Sequence, residues 1–151
     1  MKRLLLMFCL YLFTTGLYAQ NGNNYHVNEQ FVYHQLEIIN AQTKQTIERF
    51  DDYKGGVASA VIGEQEYLII IMTEDMVFKL VIVNKAEEVF EGKSKIRMYQ
   101  GGENVSGLGS YTANVFFNYN LQQNTKIPET IRFEMDGSPY IYELSGIIKI
   151  E

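Results

Sequence analysis

What this sequence lacks narrows its chemistry more than anything it contains. The 151 residues hold one cysteine, Cys9, which sits inside an apolar N-terminal run. If that run is removed, no thiol remains, and disulfides, thiolate catalysis and cysteine metal sites are excluded. Cys9 also lies mid-way along the run rather than at a cleavage point, so it is not the lipid-bearing cysteine of a lipoprotein. Tryptophan is absent, which argues mildly against a lectin, whose sugar platforms often use flat indole rings. The only histidines, His26 and His34, are eight residues apart. A hydrolytic metal centre usually takes three ligands at close, fixed spacing, so neither a metal nor a cofactor is expected.

Positive charge is scarce as well. Without Lys2 and Arg3, 11 of the 13 basic side chains face 18 acidic ones, a net charge of −7. The densest basic group, Lys93, Lys95 and Arg97, has strand-like alternate spacing and forms no patch. Nucleic acid and anionic membrane surfaces require concentrated positive charge, so both are unexpected partners. No segment after the N-terminal run is long and apolar enough to span a bilayer.

That N-terminal run is the clearest signal present. Lys2 and Arg3 precede ten unbroken apolar residues, Leu4–Phe13, and small residues lead to Ala19 and Gln20. Charge, short apolar stretch and small-residue exit are the order of a secretory signal peptide. Residues 1–19 are therefore read as a cleaved leader, leaving 132 residues for a periplasmic or extracellular protein. A length of that order suits one domain. Residues 20–28 (QNGNNYHVN) are polar and are expected to form a mobile mature N-terminus, followed by a single β-domain over 29–151.

Within that domain, residues 29–53 support two readings. At a 3.6-residue period Val32, Leu36, Ile39, Thr43, Ile47 and Phe50 share one face of a helix. As strands, Leu36–Ile39 and Thr46–Phe50 flank a polar turn. The hairpin is preferred, because everything downstream is β. Val57–Ile62, Tyr67–Met72, Val77–Val83, Ser94–Tyr99, Ala113–Leu121 and Glu129–Met135 are strand-like runs joined by turns. Asp136–Pro139 turns into a last strand that carries Tyr140, Tyr142 and Leu144 on one face, with a bend expected at Gly146. The fold class expected is all-β: an antiparallel meander closed as a small barrel or a two-sheet sandwich, with an α+β alternative if 29–53 is helical. One stretch stands apart, because Tyr67–Val83 is apolar on both faces and must be covered twice.

Catalytic constellations are not found. The carboxylate pairs Asp51-Asp52, Glu74-Asp75 and Glu87-Glu88 are sequence neighbours, which on a strand point to opposite faces. Ser106 lacks the Gly-x-Ser-x-Gly elbow, and Gly101–Ser110 lacks the spacing of phosphate or dinucleotide loops. Asn104-Val105-Ser106 matches a glycosylation acceptor, a three-residue pattern of low specificity.

The function expected is an exported, non-enzymatic β-domain holding a small apolar ligand. Phe117, Tyr140 and Tyr142 would form its pocket walls, and Gly101, Gly107 and Gly109 a loop at its mouth. The alternative is a protein-interaction or self-associating module of the cell envelope. It would use Leu68, Ile70, Val77 and Val81 as the surface and a second copy as one candidate partner.

Overall fold

Alternating apolar and polar side chains favour extended backbone. The computed structural model describes residues 25–72, 76–85, 88–105 and 109–150, and among them are strands but no helix. Twelve strands follow in chain order: β1 (Tyr25–Tyr33), β2 (Gln35–Asn40), β3 (Thr46–Phe50), β4 (Gly55–Ile62), β5 (Gln65–Ile71) and β6 (Val77–Lys85). The rest are β7 (Val89–Glu91), β8 (Ser94–Val105), β9 (Gly109–Asn120), β10 (Thr130–Met135), β11 (Tyr140–Ser145) and β12 (Ile148–Lys149). The expected leader, residues 1–19, lies outside the described residues. No helix of the described chain is long and apolar enough to cross a membrane.

All the strands join in one sheet, and every pairing is antiparallel. Its order is β12-β1-β4-β5-β6-β8-β9-β10-β11-β2-β3, with β7 added to β8. That order is a path with two ends, β12 and β3. Neither the expected ring of a barrel nor a division into two sheets is part of it.

The preferred hairpin at 29–53 is present and its helical alternative is not. Residues 29–53 form no helix: the end of β1, then β2 and β3, occupy them. The helical face would have buried Ile47, which is instead 54% exposed, while Leu36 is buried. A polar turn closes the hairpin, where Asn40 Oδ1 accepts the backbone N–H groups of Gln42 and Thr43, each at 2.9 Å. Of the segment 20–28 expected to be mobile, residues 20–24 lie outside the described residues. Residues 25–28 belong to β1, whose register against β4 begins at Tyr25 opposite Ile62. Gly146 does mark a break: with φ 63 it takes a left-handed conformation that glycine adopts without strain, and it separates β11 from β12.

The sheet is strongly curved. Glu29 on β1 and Arg97 on β8 are four strand spacings apart in the sheet order, roughly 19 Å in a flat sheet. Their side chains nevertheless meet at 2.6 Å. On the same concave face Phe31 of β1 reaches Phe117 of β9 at 6.1 Å, and Phe78 of β6 reaches Phe133 of β10 at 4.8 Å between ring centroids. These rings join Val57, Leu68, Ile70, Leu80, Val115, Ile131 and Leu144 in one buried cluster. Burial of this apolar surface is the main force holding the curved sheet together.

Candidate functional site

Towards the ends of the strands where β1 begins and β4 finishes, the concave face changes from apolar to charged. Alternation along β8 puts Lys95, Arg97 and Tyr99 on the face that carries the core, while Ile96 and Met98 point outward. On β1 the residue two places before Phe31 on that face is Glu29. A bulge between Val27 and Glu29 leaves Asn28 as an extra residue against β4, and another between Ile82 and Asn84 does the same for Val83 against β8. Bulges bend a strand and re-aim its side chains. Between these two irregularities lies a cavity of about 300 Å³, lined by Asn28, Glu29, Ser59, Ala60, Glu66, Tyr67, Ile82, Lys85, Arg97 and Tyr99.

Ion pairs organise its walls. Arg97 Nη2 donates to Glu29 Oε2 at 2.6 Å, and Lys85 Nζ stands 2.6 Å from Glu66 Oε2. The Arg97 guanidinium also lies 5.3 Å from the ring centre of Tyr99, 5.0 Å from Phe117 and 5.6 Å from Tyr119. Cations are attracted to the negative faces of such rings. Burial works against the charge of Arg97, but its hydrogen bond to Glu29 and the neighbouring tyrosines outweigh it and raise its pKa. Arg97 Nε is buried with no acceptor. Just outside the cavity wall, Lys95 sits 4.5 Å from the Tyr119 ring and pairs with Glu88 at 3.2 Å. Among the described residues no group of three His, Cys, Asp or Glu side chains is arranged to hold a metal ion.

Burial raises the pKa of Tyr99 and Tyr119, with the nearby Arg97 charge opposing it less strongly, and burial raises that of Tyr33 still more plainly. Tyrosines of the unfolded chain ionise near pH ~10. Above that pH the unfolded state binds fewer protons than the native one, so stability falls as pH rises. Their contribution is complete below pH ~10 and is lost through the higher native values, at about 1.4 kcal/mol per pH unit for each tyrosine still protonated. In an alkaline titration, phenolate absorbance from these rings should therefore appear together with loss of circular dichroism. Ionisation of all nine tyrosines of residues 25–151 in a still-folded protein would contradict this.

The structure distributes the sequence-derived site residues differently. Phe117 is fully buried between Phe31 and Tyr99; it does not line the cavity but touches two residues that do, Tyr99 and Arg97. Tyr142 is half-buried and packs on Phe133 at 6.0 Å. Tyr140, expected to point inward, is 43% exposed because it stands at the first position of β11, next to the turn. Gly101 is a buried strand residue of β8, not part of a loop, and Gly109 opens β9 opposite Val105; Gly107 and Ser106 lie outside the described residues. This hairpin runs away from the cavity: Val105, the last residue of β8, is eight positions beyond Arg97, about 26 Å along an extended strand. Of the expected interaction surface, Leu68 and Ile70 are core, 1% and 0% exposed. Both faces of β5 are apolar, and sheet curvature decides that the even positions go inside. Val77 and Val81 lie on the outer face, opposite Ile71 and Tyr67.

Sequence reading missed Glu29 and Glu66 and noted Arg97 only as part of a loose basic group. One signal was available: cations on the apolar face of β8, opposite aromatic residues of β9. Arg97 pairs with Phe117 and Lys95 with Tyr119.

The fold and site together define an all-β protein with one curved antiparallel sheet and a charged cavity at one end of its concave face. Compared with known proteins, the chain matches no family model, no curated protein and no solved structure.

Proposed function

We propose that this chain is an exported binding domain whose curved sheet wraps into a barrel and holds a small molecule in the cavity between Glu29 and Lys85. Export rests on Lys2, Arg3, the Leu4–Phe13 run and the small-residue exit at Ala19. Wrapping is supported by register. Gln35 stands opposite Ser145 in the β2·β11 pair, and three residues away Val32 stands opposite Ile148 in the β1·β12 pair, with the same offset. Backbone bonds from His34 N to Ser145 O at 3.2 Å and from Ile150 N to Gln30 O at 3.0 Å continue that ladder. On this reading β1 with β2, and β11 with β12, are two bent strands that bring the ends of the path together.

The observation that carries the binding reading is the cavity itself, polar where the rest of the concave face is filled by its own side chains. A polar ligand replaces the apolar one expected from sequence. Binding is preferred over catalysis because both carboxylates of the cavity, Glu29 and Glu66, are held by cations, and neither histidine contributes to the wall. Native mass spectrometry of the mature chain, taken from an exporting host without detergent, should show an adduct of small-molecule mass that is lost on denaturation. An Arg97→Met variant that still folds should be bare. Bare wild-type monomer would overturn the reading.

A second reading is favoured by the outer face of β5 and β6, where Tyr67, Ile71 and Val77 pack around Ile69, and Val83 is 69% exposed. A bare dimer in the same spectrum would support a self-associating module instead.

A further inference from the structure

We infer that the ligand of this cavity is a neutral polyhydroxylated compound of about one sugar ring, an inference that rests on the binding reading above. The argument starts from the pairing of the wall charges. Arg97 is matched by Glu29 and Lys85 by Glu66, so the four charges cancel. An anion or a cation would have to take a partner from one of these pairs. That leaves the displaced group uncompensated in a partly desolvated site, which is costly. An apolar ligand fits no better, because it would cover Asn28, Ser59 and the ion pairs without offering them hydrogen bonds.

A hydroxyl group avoids both costs. It donates one hydrogen bond and accepts others, so it can bridge a carboxylate and a cation without separating them. Each ion pair uses one carboxylate oxygen, Oε2 of Glu29 and Oε2 of Glu66, and leaves the other able to accept. Lys85 retains further ammonium hydrogens, and Ser59 and Asn28 add groups that both donate and accept. The ring of Tyr99, on the inner face, supplies flat apolar wall against which the C–H face of a sugar can lie. About 300 Å³ is the low end for a small-molecule site, room for one ring rather than a fatty chain.

The test is titration of the isotopically labelled mature protein, followed by backbone amide shifts. The probes are glucose, galactose, N-acetylglucosamine and inositol, set against acetate, inorganic phosphate, glycine and decanoate. At least one neutral probe should give saturable shifts at Glu29, Glu66, Arg97 and Tyr99. Its affinity should be unchanged between low and high salt, since screening acts on charges. Glu66→Gln, at a site open enough to tolerate it, should weaken that affinity about tenfold, the usual scale for losing a charge-assisted hydrogen bond, with circular dichroism unchanged. Ser59→Ala, which removes a lining hydroxyl and leaves both ion pairs intact, should weaken it as well. Saturable binding of a charged probe or decanoate alone overturns the ligand class and leaves the binding reading standing. So does a native adduct whose mass is not that of a polyol. Absence of shifts with every probe, together with a bare native spectrum, overturns both.

Discussion

Ile70→Lys should leave the protein unfolded, or nearly so, at neutral pH. Ile70 is 0% exposed and lies on the concave face of β5, in the same cluster as Leu68, Leu80, Phe117 and Phe133. Removing it forfeits the burial of one large aliphatic side chain, about 1.5–3 kcal/mol. Lysine adds a second cost, because burial lowers the pKa of an ammonium by up to ~3–5 units; at pH 7 this is about 4–5 kcal/mol, capped by the cost of deprotonating the side chain. The sum is comparable with the whole stability of a typical domain, ~5–15 kcal/mol. The variant should lack a cooperative urea transition and near-ultraviolet dichroism. Val83→Lys, at an exposed position two strand residues beyond Val81, should fall within about 0.5 kcal/mol of wild type. If Ile70→Lys instead stayed folded, the assignment of the even face of β5 to the core would be wrong.

Gly55→Ala should be the most damaging single-methyl substitution, because two partners that cannot yield stand where the new Cβ would be. A Cβ at Gly55 would overlap the hydroxyl end of the Tyr33 ring and lie 2.5 Å from the Ile71 carbonyl oxygen. Tyr33 is fully buried, stacked on Tyr53 at 6.0 Å, and its hydroxyl donates to Ile71 O at 2.9 Å. Moving the ring therefore disrupts the stack and leaves a buried hydroxyl and carbonyl without each other. Overpacking costs about 1–3 kcal/mol and an unmade buried hydrogen bond about 1–3 more. A loss of roughly 2–6 kcal/mol should appear as a lower urea midpoint with little change in slope. In a Tyr33→Ala background, where the ring is already gone, the same glycine change should cost less. Strict additivity would show that the ring is not the obstacle.

Both predictions depend on a distinction that alternation alone does not make. Where one face of a strand is polar, as in β9, the sequence assigns the sides: Val115 and Phe117 are buried, Asn114 and Asn118 are not. Where both faces are apolar, as in Leu68–Ile71, two registers look equally good, and only curvature picks the inner one. The helix–hairpin ambiguity at 29–53 has the same origin. Its apolar residues fit either period, and pairing of β2 with β11, a hundred residues away in sequence, decides between them.

The candidate site was the least legible part. Its ion pair joins Glu29 to Arg97 across 68 residues of sequence, and the cavity draws on five strands whose contributions carry no common local pattern. By itself the sequence determined the predominantly β character, most strand positions and the break at Gly146, because backbone preference and side-chain period are local properties. The tertiary structure decided which apolar face is core, how far the sheet curves, and that Arg97, Glu29, Lys85 and Glu66 meet around one cavity. Those outcomes follow from non-local pairing and close packing, which no short window of residues encodes.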